Sequence, residues 1–226
     1  MPGTPPLGPA ALLRVAVPTP PARRFRSAFV LAVAVAVAAV TALAAPPAGA
    51  QAAPCPSAAQ LVGTAPDATV EAAVACLVNG ERAARGLVAV ERDDALGTAA
   101  RRHAADMVAR RYFAHVSPTG GTVDKRARRA GYLTAPCWVV GEDLGWAPAD
   151  AATPQAVVDA WMDSPSHRAV ILDPSFRDVG IGLVDRAPVG DGAGATFVLE
   201  LGAMTSCERS GGASPRAAPR ARVRVS

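Results

Sequence analysis

Several motifs of common enzyme classes are absent from this sequence. It has no G-x-S-x-G nucleophile elbow, no P-loop, and no G-x-G-x-x-G segment that follows a predicted strand. Histidine is scarce, with three residues in 226, and no H-E-x-x-H pair places two of them on one helical face. These absences argue against a serine hydrolase of the elbow type and against a nucleotide-binding protein. A functional site would have to be assembled by folding from distant segments.

Cysteine is also sparse, and its four residues, Cys55, Cys76, Cys137 and Cys207, contain no C-x-x-C pair. Structural zinc sites usually use such pairs, so a four-cysteine zinc site is not favoured. In an exported chain an even number of cysteines predicts disulfides, here two, with three connectivities open. Proximity in the sequence favours Cys55 with Cys76, which leaves Cys137 for Cys207.

The N-terminal 50 residues have the pattern of a secretory signal peptide. Arginines at positions 23, 24 and 26 precede an apolar run over residues 28–45, and the small residues at 48–50 form an A-x-A type cleavage site. The apolar run is about as long as the shortest membrane-spanning helices, so an uncleaved anchor is the alternative. The pattern predicts a secreted, extracellular protein that meets a membrane only if this segment is retained.

Positive charge is concentrated outside the predicted domain. The whole chain has a formal charge of +4, whereas residues 51–207 contain 14 basic and 18 acidic side chains and therefore carry −4. The excess arginine lies in the N-terminal segment and in residues 208–226, a basic tail that we expect to be disordered. Because the folded part has no basic face, nucleic acid is not an expected partner.

Hydrophobic periodicity and capping residues predict an α+β domain over residues 66–207, preceded by a linker at 51–65. Asp67 and Thr153 are expected to be helix N-caps, and the acidic pair at 93–94 suits the start of another helix. The expected helices cover residues 67–86, 95–111 and 122–131, and a fourth starts after Thr153. The expected strands cover residues 138–146, 179–184 and 195–201. These strands would form a short antiparallel sheet with helices packed on its faces.

Two of the three histidines lie in motifs that also bring acidic residues. The motifs are YFAHVSP at 112–118, GEDL at 141–144 and WMDSPSHR at 161–168. His115, Glu142 and His167 could supply two nitrogens and one oxygen to Zn²⁺ or another divalent cation. Asp163 or Asp143 would be a further ligand or a hydrogen-bond acceptor for a histidine. We expect these side chains to line one cleft.

Simpler roles for the same residues stay open. His115 could brace a loop, Glu142 could be a buried strand residue, and His167 could cap a helix. His103 lies on the apolar stripe of its helix and is expected to be a core residue or part of the cleft floor. Ser117 lies two residues from His115, but nearness in sequence does not place a hydroxyl on an imidazole nitrogen, so a serine nucleophile is not favoured.

A longer set of motifs resembles the bacterial branch of the CAP superfamily, the cysteine-rich secretory proteins, antigen 5 and pathogenesis-related protein 1, also called SCP domains. The resemblance covers residues 70–204, and its specificity comes from the motifs together. Besides the three segments above, the motifs are Asn79-x-x-Arg82-x-x-x-Gly86, Ala104-x-x-Met107, Arg126-x-x-x-x-Gly131-Tyr132, Ile171-Leu172 and Val179-Gly180-Ile181-Gly182.

The resemblance implies a three-layer α-β-α sandwich with a cleft lined by two histidines and two acidic residues, which hold a divalent cation in some relatives. His115 and His167 match the histidines, and Glu142 matches the glutamate of the family's G-E-N motif. Asp143 replaces the usual asparagine. The second acidic position falls near Asp163, because this chain has Ser164 where relatives outside bacteria carry glutamate.

We therefore expect a secreted, monomeric binding module whose cleft takes a small lipid, sterol or cell-wall ligand. The alternative is a metal-assisted hydrolase of peptide or cell-wall substrates. In that alternative a bound cation would lower the pKa of water, and Glu142 or Asp163 would be the general base. A purely structural wall-associated protein is a third hypothesis.

Overall fold

The structure is a computed structural model that describes residues 54–205 and 221–225. The expected signal peptide lies outside these residues. The helices are α1 Asp67–Ala83, α2 Asp94–Arg110, α3 Val123–Arg129, α4 Pro154–Asp163 and α5 Pro165–Ile171. The strands are β1 Glu91–Arg92, β2 Trp138–Ala147, β3 Asp178–Val184, β4 Ala195–Met204 and β5 Ala221–Val225.

The strands of the described residues form one sheet in the order β1-β3-β4-β2-β5. The three long strands are antiparallel neighbours, as the sequence analysis expected. The two edge strands were not predicted, and both pair in parallel, β1 with β3 and β5 with β2. The sheet is therefore mixed, with an antiparallel centre.

Helices cover both faces of the sheet, which confirms the expected three-layer α+β fold. On one face Val140 of β2 shares an apolar cluster with Leu96 of α2 and Val123 of α3. On the other face Val139 of β2 shares a larger cluster with Trp161 of α4. Because side chains alternate along a strand, even-numbered residues of β2 face α2 and α3, whereas odd-numbered residues face α4 and α5.

Helix α2 lies directly on β3 because two glycines remove the side chains between them. A Cβ atom at Gly180 or Gly182 would come well inside 3.0 Å of α2 backbone atoms, at Leu96 and Arg101 respectively. The Val-Gly-Ile-Gly motif therefore sets the distance between helix and sheet. This contact fixes the position of His103, which α2 carries.

Two of the three expected start signals for helices act as predicted. The side chain of Asp93 accepts a hydrogen bond of 2.8 Å from the Leu96 amide at the start of α2. Thr153 accepts one of 3.1 Å from the Ala156 amide at the start of α4. The prediction for Asp67 is wrong, since α1 begins at this residue and has no side-chain cap.

Arg82, one of the motif residues, ties α1 to the segment before β3. Its guanidinium donates to backbone oxygens of Val88 at 3.0 Å, Ile171 at 2.7 Å, Asp173 at 3.1 Å and Phe176 at 3.3 Å. The side chain is completely buried, so these bonds satisfy donors that would otherwise be costly. Arg82 is therefore a structural residue rather than part of the site.

Residues 221–225 form β5, although the sequence analysis placed them in a disordered tail. β5 pairs with residues 138–142 of β2, and Arg224 forms an ion pair with Asp173. The expectation of disorder is wrong for these five residues, and residues 206–220 lie outside the described part. A short strand here satisfies backbone groups that the edge of β2 would otherwise expose.

The predicted disulfide between Cys55 and Cys76 is present, with a Cα–Cα distance of 5.7 Å. It joins the segment before α1 to the middle of that helix. Cys137 is also disulfide-bonded, and its expected partner, Cys207, lies outside the described residues. Within the described residues, no helix has the length and apolar composition needed to cross a membrane.

Candidate functional site

The candidate site is built on two adjacent acidic residues of β2, Glu142 and Asp143. Both side chains are completely buried. The strand alternation sends Glu142 toward α2 and α3 and Asp143 toward α4 and α5. A buried carboxylate is costly unless it is paired, so each requires a partner on its own face.

His115 is the partner of Glu142. It lies in the segment that leaves α2 after Arg111, whose left-handed backbone (φ 57°) ends the helix. The Nδ1 atom of His115 is 2.7 Å from Oε1 of Glu142, and the side chain keeps an exposed fraction of 22%. The ring is therefore held at one nitrogen and reaches solvent elsewhere.

Arg126 of α3 is the second partner of Glu142 and organises the segment around it. Its Nη2 donates to Oε2 of Glu142, and its Nη1 donates to the backbone oxygens of His115 at 3.0 Å and Gly121 at 2.9 Å. Because Glu142 accepts from a guanidinium, the hydrogen shared with His115 is assigned to Nδ1. Arg126 thus balances the charge of Glu142 and fixes the backbone that carries His115.

Glu200 of β4 lies directly opposite Glu142 in the antiparallel pairing and is also completely buried. Its Oε1 is 3.6 Å from Nε of Arg126, which is an ion-pair distance but not a hydrogen bond. Burial, together with the nearby carboxylate of Glu142, raises the pKa of Glu200 well above its ordinary value. Burial therefore favours the neutral form of the Glu200 carboxyl.

His103 of α2 is the last of the buried side chains around Glu142. Its Nε2 is 3.9 Å from Oε2 of Glu142, and its Nδ1 is 3.4 Å from the hydroxyl of Tyr112. Burial lowers the pKa of His103 to about 4, a shift that the Glu142 carboxylate only partly opposes. His103 is thus a neutral imidazole beside the site, as the sequence analysis allowed.

His167 belongs to α5 and is the partner of Asp143. Its Nδ1 is 3.0 Å from Oδ1 of Asp143, and its side chain keeps an exposed fraction of 23%. Helix α5 begins at Pro165, immediately after Ser164, and this places His167 in its first turn. The site therefore contains two histidine–carboxylate pairs, the Glu142 pair and the Asp143 pair, whose acidic residues are adjacent in β2 and point to opposite faces of it.

The predicted ligand set of His115, Glu142 and His167 is divided between these two pairs. His167 contacts Asp143, and Asp163 is exposed at the end of α4. No group of three or more histidine, cysteine or acidic side chains in the described part of the chain could hold a metal ion. A cation at Glu142 would also face the guanidinium of Arg126. The zinc site expected at His115, Glu142 and His167 stays a prediction.

The serine hydroxyls near the histidines have other partners. Oγ of Ser117 accepts from the Gly121 amide at 2.8 Å and lies 3.1 Å from the hydroxyl of Thr119. The hydroxyls of Ser164 and Ser166 lie 3.2 Å from each other. These bonds shape the loops that carry the histidines.

Sequence reasoning missed the parts played by Arg126 and Glu200. Arg126 was noted only as a motif residue, and its position a few residues before a Gly-Tyr pair does not reveal a contact with Glu142. Glu200 had a clearer signal, because it is the only charged residue in a largely apolar strand, residues 195–204. A charge in such a strand indicates a buried partner.

The fold and these pairs define a three-layer α+β domain with a histidine–carboxylate centre on its second strand. The model of the Cysteine-rich secretory protein family, CAP, matches residues 76–199, more than half of the chain. The chain therefore belongs to the CAP family, as its motifs indicated.

Two curated relatives come from Bacillus subtilis (strain 168). The uncharacterized protein YkwD is 36% identical over 115 residues, which cover 50% of this chain and 42% of YkwD. The uncharacterized membrane protein YlbC is 30% identical over 118 residues, 52% of this chain and 32% of YlbC. The chain thus spans less than half the length of either relative.

Solved structures are similar to a comparable part of the chain. An extracellular protein containing a SCP domain from Bacillus anthracis is 26% identical with a TM-score of 0.47, over 58% of this chain and 39% of that chain. An outer surface protein from Borrelia burgdorferi is 21% identical with a TM-score of 0.49, over 58% of this chain and 90% of that chain.

Proposed function

We propose that this protein is an exported binding module of the CAP family whose ligand contacts the imidazoles of His115 and His167. One observation supports this most directly. Each ring is held through Nδ1 by a completely buried carboxylate, yet each side chain keeps about a fifth of its surface exposed. Groups that are fixed before binding lose less conformational entropy when a ligand arrives.

Exposed apolar side chains close in sequence to the site residues support one type of ligand. Phe113 and Val116 flank His115 in the chain and are 39% and 51% exposed. Trp146, three residues after Asp143, is 46% exposed. A small lipid, a sterol or a cell-wall fragment has both the apolar surface and the polar groups that such a site would contact.

Binding rather than hydrolysis is supported by the chemistry of the described residues. The serine hydroxyls near the histidines bond to loop atoms or to each other. A cation-activated water would need a metal site, and the guanidinium of Arg126 on Glu142 opposes a cation there. The proposal therefore includes no divalent cation and no turnover.

Export is supported by the signal-peptide pattern and by the disulfide between Cys55 and Cys76. Disulfides persist in oxidising compartments and are rare in the cytosol. A disulfide so close to the predicted cleavage point would strengthen the start of the mature domain.

Thermal unfolding in the presence of candidate ligands tests the proposal. Peptidoglycan fragments, palmitate and cholesterol would be added separately, because a ligand that binds the native state raises its stability. We expect one of them to raise the Tm, and we expect His115→Gln and His167→Gln each to weaken its binding about tenfold, as loss of one good hydrogen bond implies. Ala169→Gln, an exposed change on the same helix as His167, should leave binding unchanged.

Two outcomes would defeat this function. If none of the three ligands changes the Tm of the wild-type protein, the binding role has no support. If a ligand is consumed during incubation and the His115→Gln variant stops that consumption, the protein is an enzyme rather than a binding module.

A further inference from the structure

A polar cavity lies beside the Glu142 pair, between α2, the loop at residues 117–121 and α3. It has a volume of about 250 Å³ and is lined mainly by polar side chains. Residues 102, 103, 106 and 110 of α2 line one side, at the spacing that places side chains on one helical face. The cavity is smaller than most pockets for drug-sized ligands, which are roughly 300–1,000 Å³, and so fits a small ligand.

The charge lining this cavity is strongly positive although the domain as a whole is acidic. Four arginines, Arg102, Arg110, Arg126 and Arg129, line it together with one acidic residue, Asp106. Asp106 already has two partners, since it forms an ion pair with Arg110 at 2.7 Å and accepts a hydrogen bond from the Tyr112 hydroxyl at 2.6 Å. The remaining positive charge is therefore local to this cavity.

Two of these arginines are not neutralised. Arg126 pairs with Glu142 and Arg110 pairs with Asp106. Within residues 54–205 and 221–225, neither Arg102 nor Arg129 forms an ion pair. Their guanidinium groups come from different helices and lie on the rim of the same cavity, where they could bind one anion between them.

The floor of the cavity is buried and polar. His103 is 1% exposed, and its Nε2 has no hydrogen-bond partner among the described residues. Arg126 is 9% exposed, and the bonded hydroxyl of Ser117 lies beside it. A buried polar atom without a partner is uncommon and costs stability. Because the Tyr112 hydroxyl donates to Asp106, the hydrogen of the neutral His103 ring is assigned to Nδ1, so Nε2 can accept a bond from a P–OH group.

From these observations we propose that the cavity is a binding site for a phosphate group, held between Arg102 and Arg129 at the rim and facing His103 at the floor. A phosphate accepts bonds from several directions, which fits donors on α2, α3 and the loop between them better than a planar carboxylate does. A metal cation is disfavoured by the surplus of guanidinium groups. This site goes beyond the proposed function, because neither His115 nor His167 lines the cavity.

The phosphate could belong to a free phosphorylated molecule or to a phosphodiester polymer. Isothermal titration calorimetry with inorganic phosphate, glycerol 1-phosphate and poly(glycerol phosphate) separates these sources when the ionic strength is held constant with chloride. We expect at least one of these probes to bind the wild-type protein. Tighter binding of the monoester would identify a free molecule, whereas tighter binding of the polymer would identify a phosphodiester.

The decisive comparison uses two double variants with the same net charge. R102Q/R129Q removes the arginines at the rim and should weaken phosphate binding at least about tenfold, since each charge-assisted hydrogen bond contributes roughly 1.5–3 kcal/mol. R85Q/R92Q removes exposed arginines elsewhere and should bind like the wild type. Circular dichroism should show all three proteins folded, because the altered side chains are exposed.

Three results would overturn the site. The wild-type protein could fail to bind any of the three probes. R102Q/R129Q could bind as tightly as the wild type. Finally, R85Q/R92Q could lose as much affinity as R102Q/R129Q, which would show that only the overall charge matters.

Discussion

Glu142 is the residue on which the buried part of the site depends. It is completely buried and accepts hydrogen bonds from His115 and from Arg126. Glu200 of the neighbouring strand β4 is paired directly opposite it. Only one of these two carboxyl groups needs to be ionised to balance the single guanidinium. The two glutamates should therefore respond differently when each is changed to glutamine.

Changing Glu142 to glutamine should strongly destabilise the protein, because it removes the carboxylate that bonds to the buried guanidinium of Arg126 and leaves only Glu200, which is 3.6 Å away and not hydrogen-bonded to it. We expect the free energy of unfolding to fall by about 3–5 kcal/mol, measured by urea denaturation at neutral pH. Glu91→Gln, which changes an exposed residue of β1, should change it by less than about 0.5 kcal/mol. Similar small effects in both variants would mean that Arg126 is not buried with Glu142.

The Glu200→Gln variant should become more stable relative to the wild type as the pH rises. The folded protein keeps a proton on Glu200 above the pH at which an unfolded glutamate, with a pKa of about 4.3, releases it. The stability that the raised pKa contributes is complete below about pH 4.3 and is lost as the pH rises toward the folded-state pKa. Urea denaturation at several pH values should show the stability of Glu200→Gln, relative to wild type, increasing from pH 5 to pH 8. A constant or falling difference would contradict this.

The individual site residues were only partly predictable. His115 and Glu142 were identified through the family motifs, and the contact between them is present. The partner of His167 was not fixed, because Asp143 and Asp163 both remained open. The choice depends on the residue alternation of β2 and on the start of α5 at Pro165, neither of which the motif spacing determines.

At the scale of elements, the packing of α2 on β3 determines where the site forms. The two glycines of β3 allow helix and strand to touch, and the same helix carries His103 and one wall of the arginine-lined cavity. A change in this contact would displace both.

Gly182→Ala should therefore be destabilising, because its Cβ atom would overlap the backbone of α2 near Arg101. Overpacking of this type costs about 1–3 kcal/mol or more, and backbone atoms cannot move aside as a flexible side chain can. Gly80→Ala is the matched control, since Gly80 lies in α1 with no atom within 4 Å of its Cβ position. Thermal unfolding should show a lower Tm for the first variant and an unchanged or higher Tm for the second. Equal effects would refute the close packing.

Elements with strong local signals were predicted, whereas short and tertiary-dependent ones were not. Asp93 and Thr153 marked the starts of α2 and α4, and the three long strands had apolar residues bounded by turn signals. β1 contains two residues and β5 lies in an arginine-rich tail, so each depends on a neighbouring strand for its formation. Helix α5 was missed because only Ser164 separates it from α4.

For the whole molecule, the disulfide between Cys55 and Cys76 should contribute measurable stability. It closes a loop with a sequence separation of 21 residues, for which the chain-entropy model gives about 3 kcal/mol. The double variant Cys55→Ser/Cys76→Ser should lose about that much in urea denaturation. A loss below about 0.5 kcal/mol would show that the segment before α1 adds little to the fold.

The molecule has three histidines. His115 and His167 are half-buried and pair with carboxylates of β2, whereas His103 is buried beside the arginine-lined cavity. This division makes the imidazole proton NMR spectrum a direct report on both sites. Phosphate bound in the cavity should shift the signal of His103. A ligand of the histidine–carboxylate pairs should shift His115 and His167 instead.

The most direct test of the central claim is this spectrum, recorded while the ligand that raises the Tm is added. Signals would be assigned with the variants His115→Gln and His167→Gln. We predict that the imidazole resonances of His115 and His167 move together, with saturation at the same ligand concentration, while that of His103 stays in place. Binding of a ligand that moves neither His115 nor His167 would refute the proposed contact.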